Sequence, residues 1–376
     1  NTIDLVTVLP PGGSTTKELF VDYKSLASSV KPGMSVLLDD GAILLTVQTI
    51  VNDDRVTCIV DNTGELRSRA GVNLPGAETN MPAMSEKDKK DIRYGMTKDI
   101  DYVAASFVQS AQGVQELKAY IAQCADELNH GSSSLPLVIS KIESVTAVKN
   151  FAEILEASDG IMVARGDLGV EIALEEVALA QKEMVRACNA VGKPVIVATQ
   201  MLESITKKPR PTRAEVADVT NAVMDGADAV MLSGETAKGK DPANAIRTMR
   251  NIVLATEQFV REQPTTHETS LLLPQNDVAK QAVKVATVKD AVKAILVVDG
   301  GDAEAISAHR PNVPIVAFCP THKAARRVFV YRGIHPIVGT VDSEDEAKQM
   351  AMSYGFVESG DSVVVVKDGT ATLSVV

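Results

Sequence analysis

Four apolar runs in this chain end in residues that can do chemistry. Residues 137–143 carry Lys141 and finish on Glu143, and residues 160–167 run into Arg165-Gly166-Asp167. Residues 194–200 end in Thr199-Gln200, and residues 229–235 end in Ser233-Gly234-Glu235. Helical stretches separate the runs. Strands alternating with helices build parallel α/β sheets, and in a closed barrel the strand C-termini converge on one face. That arrangement gathers Lys141, Glu143, Asp167 and Thr199 in one pocket. Two carboxylates, an ammonium group and a hydroxyl suit metal-assisted chemistry on an anionic substrate.

Each residue also has a plainer reading. Strand alternation puts Lys141 and Glu143 on one face, where a Lys beside a carboxylate is ordinarily a salt bridge. Glu143 and Asp167, taken alone, are as well read as surface carboxylates at strand ends. The stretch Arg165-Gly166-Asp167-Leu168-Gly169 lets backbone approach a ligand closely, and free N–H groups opening a short helix bind anions. It reads equally as a glycine-rich turn. An isolated Thr199 is usually a helix cap, and Asp40 fits a turn.

Longer motifs change the balance. Ile-Ser-Lys-Ile-Glu at 139–143, Met-Val-Ala-Arg-Gly-Asp-Leu-Gly at 162–169 and Ala-Thr-Gln-Met-Leu-Glu-Ser at 198–204 occur in order. Lys-Pro-Arg-Pro-Thr-Arg-Ala-Glu at 208–215 and Met-Leu-Ser-Gly-Glu-Thr-Ala-Lys-Gly at 231–239 follow. Together they resemble the pyruvate kinase family. Further matches are Leu-Asp-Asp-Gly at 38–41, Gly-Val-Asn-Leu-Pro-Gly at 71–76, Ser-Glu-Lys-Asp at 85–88 and Tyr-Arg-Gly-Ile at 331–334, so the resemblance covers nearly the whole chain.

By that resemblance the reaction is phosphoryl transfer from phosphoenolpyruvate to ADP, giving pyruvate and ATP in glycolysis. Glu143 and Asp167 are implied ligands of Mg²⁺ or Mn²⁺. Lys141 is implied to stabilise charge on the phosphoryl group, and the Gly166 and Asp167 amides to hold the substrate carboxylate. Thr199 is implied to contact substrate and take part in protonating the enolate. Ser106 and Phe107 match pocket residues, Ser233 and Glu235 a segment near the site, and Asp40 a mobile lid over nucleotide and metal. One departure is Arg69-Ala70, where the family commonly has a basic pair. K⁺ is implied as well, with ligands in the family's first three barrel strands. A cytoplasmic homotetramer is the implied setting.

The fold expected is α/β: a partial TIM-type (β/α)8 barrel with a small inserted β domain and a C-terminal α/β domain. Residues 1–79 read as the β-rich lid, with strands at 3–8, 35–38, 43–51 and 56–60. Residues 80–262 read as barrel strands four to eight, at 102–108, 137–140, 160–163, 195–198 and 229–232. Ser85 followed by Asp88 marks a helix start. A polar linker follows at about 261–275. Residues 275–376 alternate helix and strand as a doubly wound sheet, with strands at 294–299, 314–318, 337–338 and 362–367 and helices at 277–288 and 343–354. Because the chain opens on Asn1 with five barrel strands, it reads as a piece of a longer protein, inactive alone, with any organellar targeting segment upstream.

Bulk properties agree. The net charge of −11 argues against nucleic-acid or anionic-membrane binding. Tryptophan is absent and aromatics make up 3%, so cores rest on Val, Ile, Leu, Ala and Met, which suits sheets buried on both faces. The four cysteines, 58, 124, 188 and 319, show no CxxC pairing and read as reduced thiols. Gly234 to Lys240 nearly spells a phosphate loop but ends on Asp241 where Ser or Thr should bind magnesium. A Mg²⁺-dependent barrel lyase acting on pyruvate enolate and a non-catalytic relative are the competing readings. The loop 298–304, with Asp299, Asp302 and Glu304, would repel a phosphate, so no activation by fructose 1,6-bisphosphate is expected.

Overall fold

The structure is a computed structural model that describes all residues except 40, 78–81, 130, 132–134, 263–275, 289–290 and 299. Asp40 and most of the expected linker therefore lie outside the described residues.

The N-terminal unit is a six-stranded sheet made of β1 (Thr2–Val6), β2 (Glu18–Phe20), β3 (Ser35–Leu38), β4 (Ile43–Asn52), β5 (Arg55–Val60) and β6 (Val72–Asn73). Its order is β2-β1-β5-β4-β3-β6, with the short helix α1 (Leu26–Ser29) before β3. Ile43, Leu45 and Val47 alternate inward along β4 and pack on Leu5, Val36 and Val56. Two strands escaped the sequence reading. β2 has three residues and β6 has two, too few for a period of two to show.

The central unit alternates as the sequence implies. It runs α2 (Glu86–Met96), β7 (Tyr102–Ala105), α3 (Ala111–Glu127), β8 (Leu137–Ile142), α4 (Val145–Lys149), α5 (Phe151–Ala157), β9 (Gly160–Ala164), α6 (Arg165–Glu171) and α7 (Leu174–Val191). Then come β10 (Val195–Ala198), α8 (Arg213–Asp225), β11 (Ala229–Val230), α9 (Gly234–Ala237) and α10 (Pro242–Arg261). The five strands form one sheet in the order β11-β10-β9-β8-β7, all parallel. Ser85 and Asp88 form the capping box that starts α2. Carboxylates set the register at the strand N-termini: Asp159 accepts from the Val138 amide at 2.7 Å and Asp228 from the Val195 amide at 3.0 Å. β7 stops at Ala105, short of the expected residue 108, because the chain turns into a left-handed conformation at Phe107.

The C-terminal unit contains α11 (Asp277–Val288), β12 (Val292–Val297), α12 (Ala303–Ala308), β13 (Ile315–Cys319), α13 (His322–Val328), β14 (Ile334–Val338), α14 (Glu344–Ser353), β15 (Ser362–Lys367) and β16 (Thr370–Val375). Its order is β14-β13-β12-β15-β16, with hydrophobic clusters on both faces. β16 is not among the strands expected from the sequence. Asp368 and Gly369 have φ of 50° and 69°, and β16 returns antiparallel to β15. Two successive left-handed residues make the tight hairpin turn that Asp-Gly favours.

The loop after β12 carries the acidic residues of the segment expected to repel a phosphate. Asp299 is outside the described residues, and Asp302 accepts from Asn276 Nδ2 at 3.0 Å. Glu304, in the first turn of α12, is exposed, beside Tyr331.

The C-terminal unit is tied to the base of the parallel sheet. Arg310 grips Asp228 with two nitrogens, at 2.7 and 2.9 Å, and also reaches Asn189 Oδ1 and the Gly226 carbonyl. Tyr102 donates to the Arg327 carbonyl, and Arg326 pairs with Asp99 and Asp101.

Candidate active site

β8 places Lys141 and Glu143 two residues apart on one face. Lys141 Nζ lies 2.7 Å from Glu143 Oε1 and 2.8 Å from Ser106 Oγ at the end of β7. Glu143 is fully buried, and its Oε2 accepts the Phe107 amide at 2.6 Å. The left-handed φ of 52° at Phe107 belongs to the turn that offers this amide, while the ring stays exposed. Lys141, Glu143, Ser106 and Phe107 are thus brought together as the sequence motifs imply.

Asp167 stands in the first turn of α6, directly past β9. Burial raises its carboxyl, the nearby Glu143 carboxylate raises it further, and Lys141 offsets part of this. Two carboxylates crowded into a dry site are held there at a cost unless a cation joins them. Glu143 Oε1 is buried and receives no well-directed hydrogen bond, only the ammonium charge of Lys141. This donor set fits a divalent cation. Among the described residues no group of three or more His, Cys, Asp or Glu could hold a metal. Two carboxylates with substrate and water oxygens completing the shell is a common Mg²⁺ arrangement.

Thr199 directly follows β10 in a left-handed conformation, φ 71°, and Gln200 comes next at φ 54°. A β-branched residue rarely adopts this, and such strain costs about 1–3 kcal/mol, which the surrounding structure must offset. Thr199 Oγ1 accepts from the Gly166 amide at 2.6 Å and donates to the Ala198 carbonyl at 2.6 Å. A Cβ on Gly166 would stand 3.4 Å from that oxygen, in contact with Thr199. The amide implied to hold a substrate carboxylate is therefore already engaged by Thr199, and anion binding there exchanges one acceptor for another.

Ser233 and Glu235 serve another task. Glu235 is fully buried and accepts from the Leu202 and Ser233 amides at 3.0 and 2.8 Å, stapling the loop after β10 to α9. A cleft of about 2050 Å³ runs beside β7 toward the N-terminal sheet. It meets the site through Ser106, Phe107 and Glu171 and is not lined by Lys141, Asp167 or Thr199. Asn73 of β6 donates to Glu171 at 3.4 Å, joining that sheet to the helix that carries Asp167.

Two residues escaped notice at the sequence level. Arg165 was part of the motif but had no role, and Asp218 stood in an ordinary amphipathic helix. The available signal was that an arginine ending a fully buried strand needs a carboxylate.

The arrangement is a pair of carboxylates with a lysine at the C-terminal edge of a parallel sheet. Residues 8–246 match the family described as pyruvate kinase, barrel domain, and residues 276–374 that described as pyruvate kinase, alpha/beta domain. The chain belongs to the pyruvate kinase family. Among curated pyruvate kinases, that of Debaryomyces hansenii is 39% identical over 371 residues, covering 94% of this chain and 72% of that protein. Pyruvate kinase 1 of Trypanosoma brucei brucei is 41% identical over 375 residues, with 94% and 72% covered. The crystal structure of a pyruvate kinase from Cryptosporidium parvum superposes with a TM-score of 0.90 at 35% identity, covering all of this chain and 78% of that one. The mixed α/β architecture expected from the sequence is that of the pyruvate kinase family.

Proposed function

We propose that this protein transfers the phosphoryl group of phosphoenolpyruvate to ADP and protonates the resulting enolate to pyruvate. The observation that carries the reading is the buried Glu143 beside both Lys141 and Asp167, in a chain of this family. Glu143 and Asp167 would hold Mg²⁺ or Mn²⁺, which when bound supplies positive charge to the enolate and phosphoryl oxygens. Lys141 offers its ammonium to the phosphoryl group as charge redistributes. Phosphoryl transfer depends on positioning and charge neutralisation, and Lys141 is held by Ser106 and Glu143 on two sides. The Asp167 and Gly166 amides orient the substrate carboxylate, and the Thr199 hydroxyl serves the proton on its way to the enolate carbon. K⁺ as a second cation, a homotetrameric assembly and a cytoplasmic location complete the proposal. Among the described residues no helix is long and apolar enough to cross a membrane.

The test is ATP formation by the purified protein at its natural full length. Formation that requires phosphoenolpyruvate, ADP and a divalent cation together supports the reading. Cleavage of a larger keto acid to pyruvate without ADP, or metabolite binding with no turnover, would replace it.

A further inference from the structure

Thr199 holds an unfavourable backbone conformation, and something must hold it there. The surrounding atoms identify what does. Arg165, the first residue of α6, is mostly buried and uses all three guanidinium nitrogens. Its Nη2 donates to the Thr199 carbonyl at 2.8 Å and its Nε points at the Ala198 carbonyl at 3.4 Å. Asp218 of α8 fixes the guanidinium from the other side with a two-pronged pair, at 2.6 and 2.7 Å. Gln181 of α7, itself buried, accepts from Nη1 at 3.2 Å. Three helices thus converge on one cation, and that cation grips the two carbonyls flanking the Thr199 peptide.

We propose that Arg165, locked by Asp218, is a positioning residue that holds Thr199 in its left-handed conformation and so aims its hydroxyl at the Gly166 amide. A planar fork bonded to a carboxylate on one edge and to carbonyls on the other fixes direction as well as distance. Lysine could not do both. The strain in Thr199 is then maintained by α8, an element that contributes no atom to the reacting centre. The catalytic part of this inference rests on the phosphoryl-transfer reading; the structural part does not.

The experiment changes Asp218, which reaches the site only through Arg165. In the intact protein Asp218→Ala should lower kcat about 10- to 100-fold, the usual penalty for a small misplacement of a reacting group. The KM for phosphoenolpyruvate should stay within about threefold, since uniform binding is untouched. Exchange of pyruvate methyl protons with D₂O should fall in step with kcat. In a Thr199→Ala background, Asp218→Ala should cost less than about twofold more, because coupled residues are non-additive. Hydrogen exchange at the Gly166 amide, which needs no turnover, should speed up in Asp218→Ala. Asp218→Asn keeps the shape and one acceptor and should fall between; it decides the matter if the alanine variant does not fold. Undiminished kcat in both variants, fully multiplicative losses in the double variant, or unchanged Gly166 protection would overturn the proposal. A parent protein that forms no ATP would defeat the functional reading, and Gly166 exchange would still decide the positioning role.

Discussion

Lys141 and Glu143 form an ion pair of 2.7 Å in which the carboxylate is completely buried and the ammonium is not. The asymmetry matters because a buried charge needs a partner more than an exposed one does. Glu143 has two: the Lys141 ammonium on one oxygen and the Phe107 amide on the other.

Glu143→Gln should therefore damage two functions together. It removes one of two carboxylates facing the proposed cation and leaves Lys141 without its counter-charge. A fall in turnover of about 10²–10³-fold is expected, the common loss for one preorganised charge-stabilising group. Titrating activity against Mg²⁺ checks it, and the half-saturating concentration should rise. Unchanged turnover and metal dependence would remove Glu143 from the site.

Asp167 predicts a conflict between stability and function. Its carboxyl titrates above the usual range, first through burial and then through Glu143. A raised carboxyl pKa means the folded chain holds the proton more tightly than the unfolded chain. Stability from this group is thus greatest at low pH and declines as pH rises through the raised folded value. At neutral pH without metal, Asp167→Asn should raise the melting temperature by about 2–4 °C, the response of a domain this size to a modest gain. Added Mg²⁺ should stabilise the parent and not the variant. A lowered melting point in metal-free Asp167→Asn would contradict the assignment.

Glu215 gives the opposite sign. Burial alone would raise its carboxyl, but donors from Ser204 and Thr212 outweigh that and hold it below the usual glutamate range. Its contribution is complete above the unfolded value and is lost as pH falls through the lower folded one. Acid titration of the parent should show this loss below about pH 4, and Glu215→Gln should flatten that part of the curve. Because Glu215 also closes the capping box at the start of α8, the variant should lose about 1 kcal/mol at neutral pH. Denaturant unfolding at two pH values measures both effects.

Arg310→Ala tests the joint between the parallel sheet and the C-terminal unit. It strands Asp228, which is nearly fully buried, with only amide donors from Val195 and Arg332. Removing one partner of a buried pair costs about 3–5 kcal/mol. Calorimetry should show the variant unfolding over a broader or more divided range than the parent as the two units uncouple. One undisturbed transition at the parent's temperature would show that the pair does not couple them.

The sequence alone determined the alternation of strand and helix, because buried parallel strands are continuous runs of Val, Ile and Ala bounded by polar residues. β10, β3, β15 and α11 lie where those runs place them. It also determined that Lys141 and Glu143 share a face, since a period of two leaves no other choice. Strand β16 after the Asp-Gly turn was legible in principle and went unread, and β2 and β6 were too short to read. What only the tertiary structure decided was which polar groups meet across elements. Arg165 lies 53 positions from Asp218, and Arg310 lies 82 from Asp228. No local pattern couples residues so distant, because their pairing follows from how helices and domains pack. The left-handed Thr199 was hidden for the same reason: threonine disfavours that conformation, and only the assembled clamp of Arg165 and Asp218 overrides the preference.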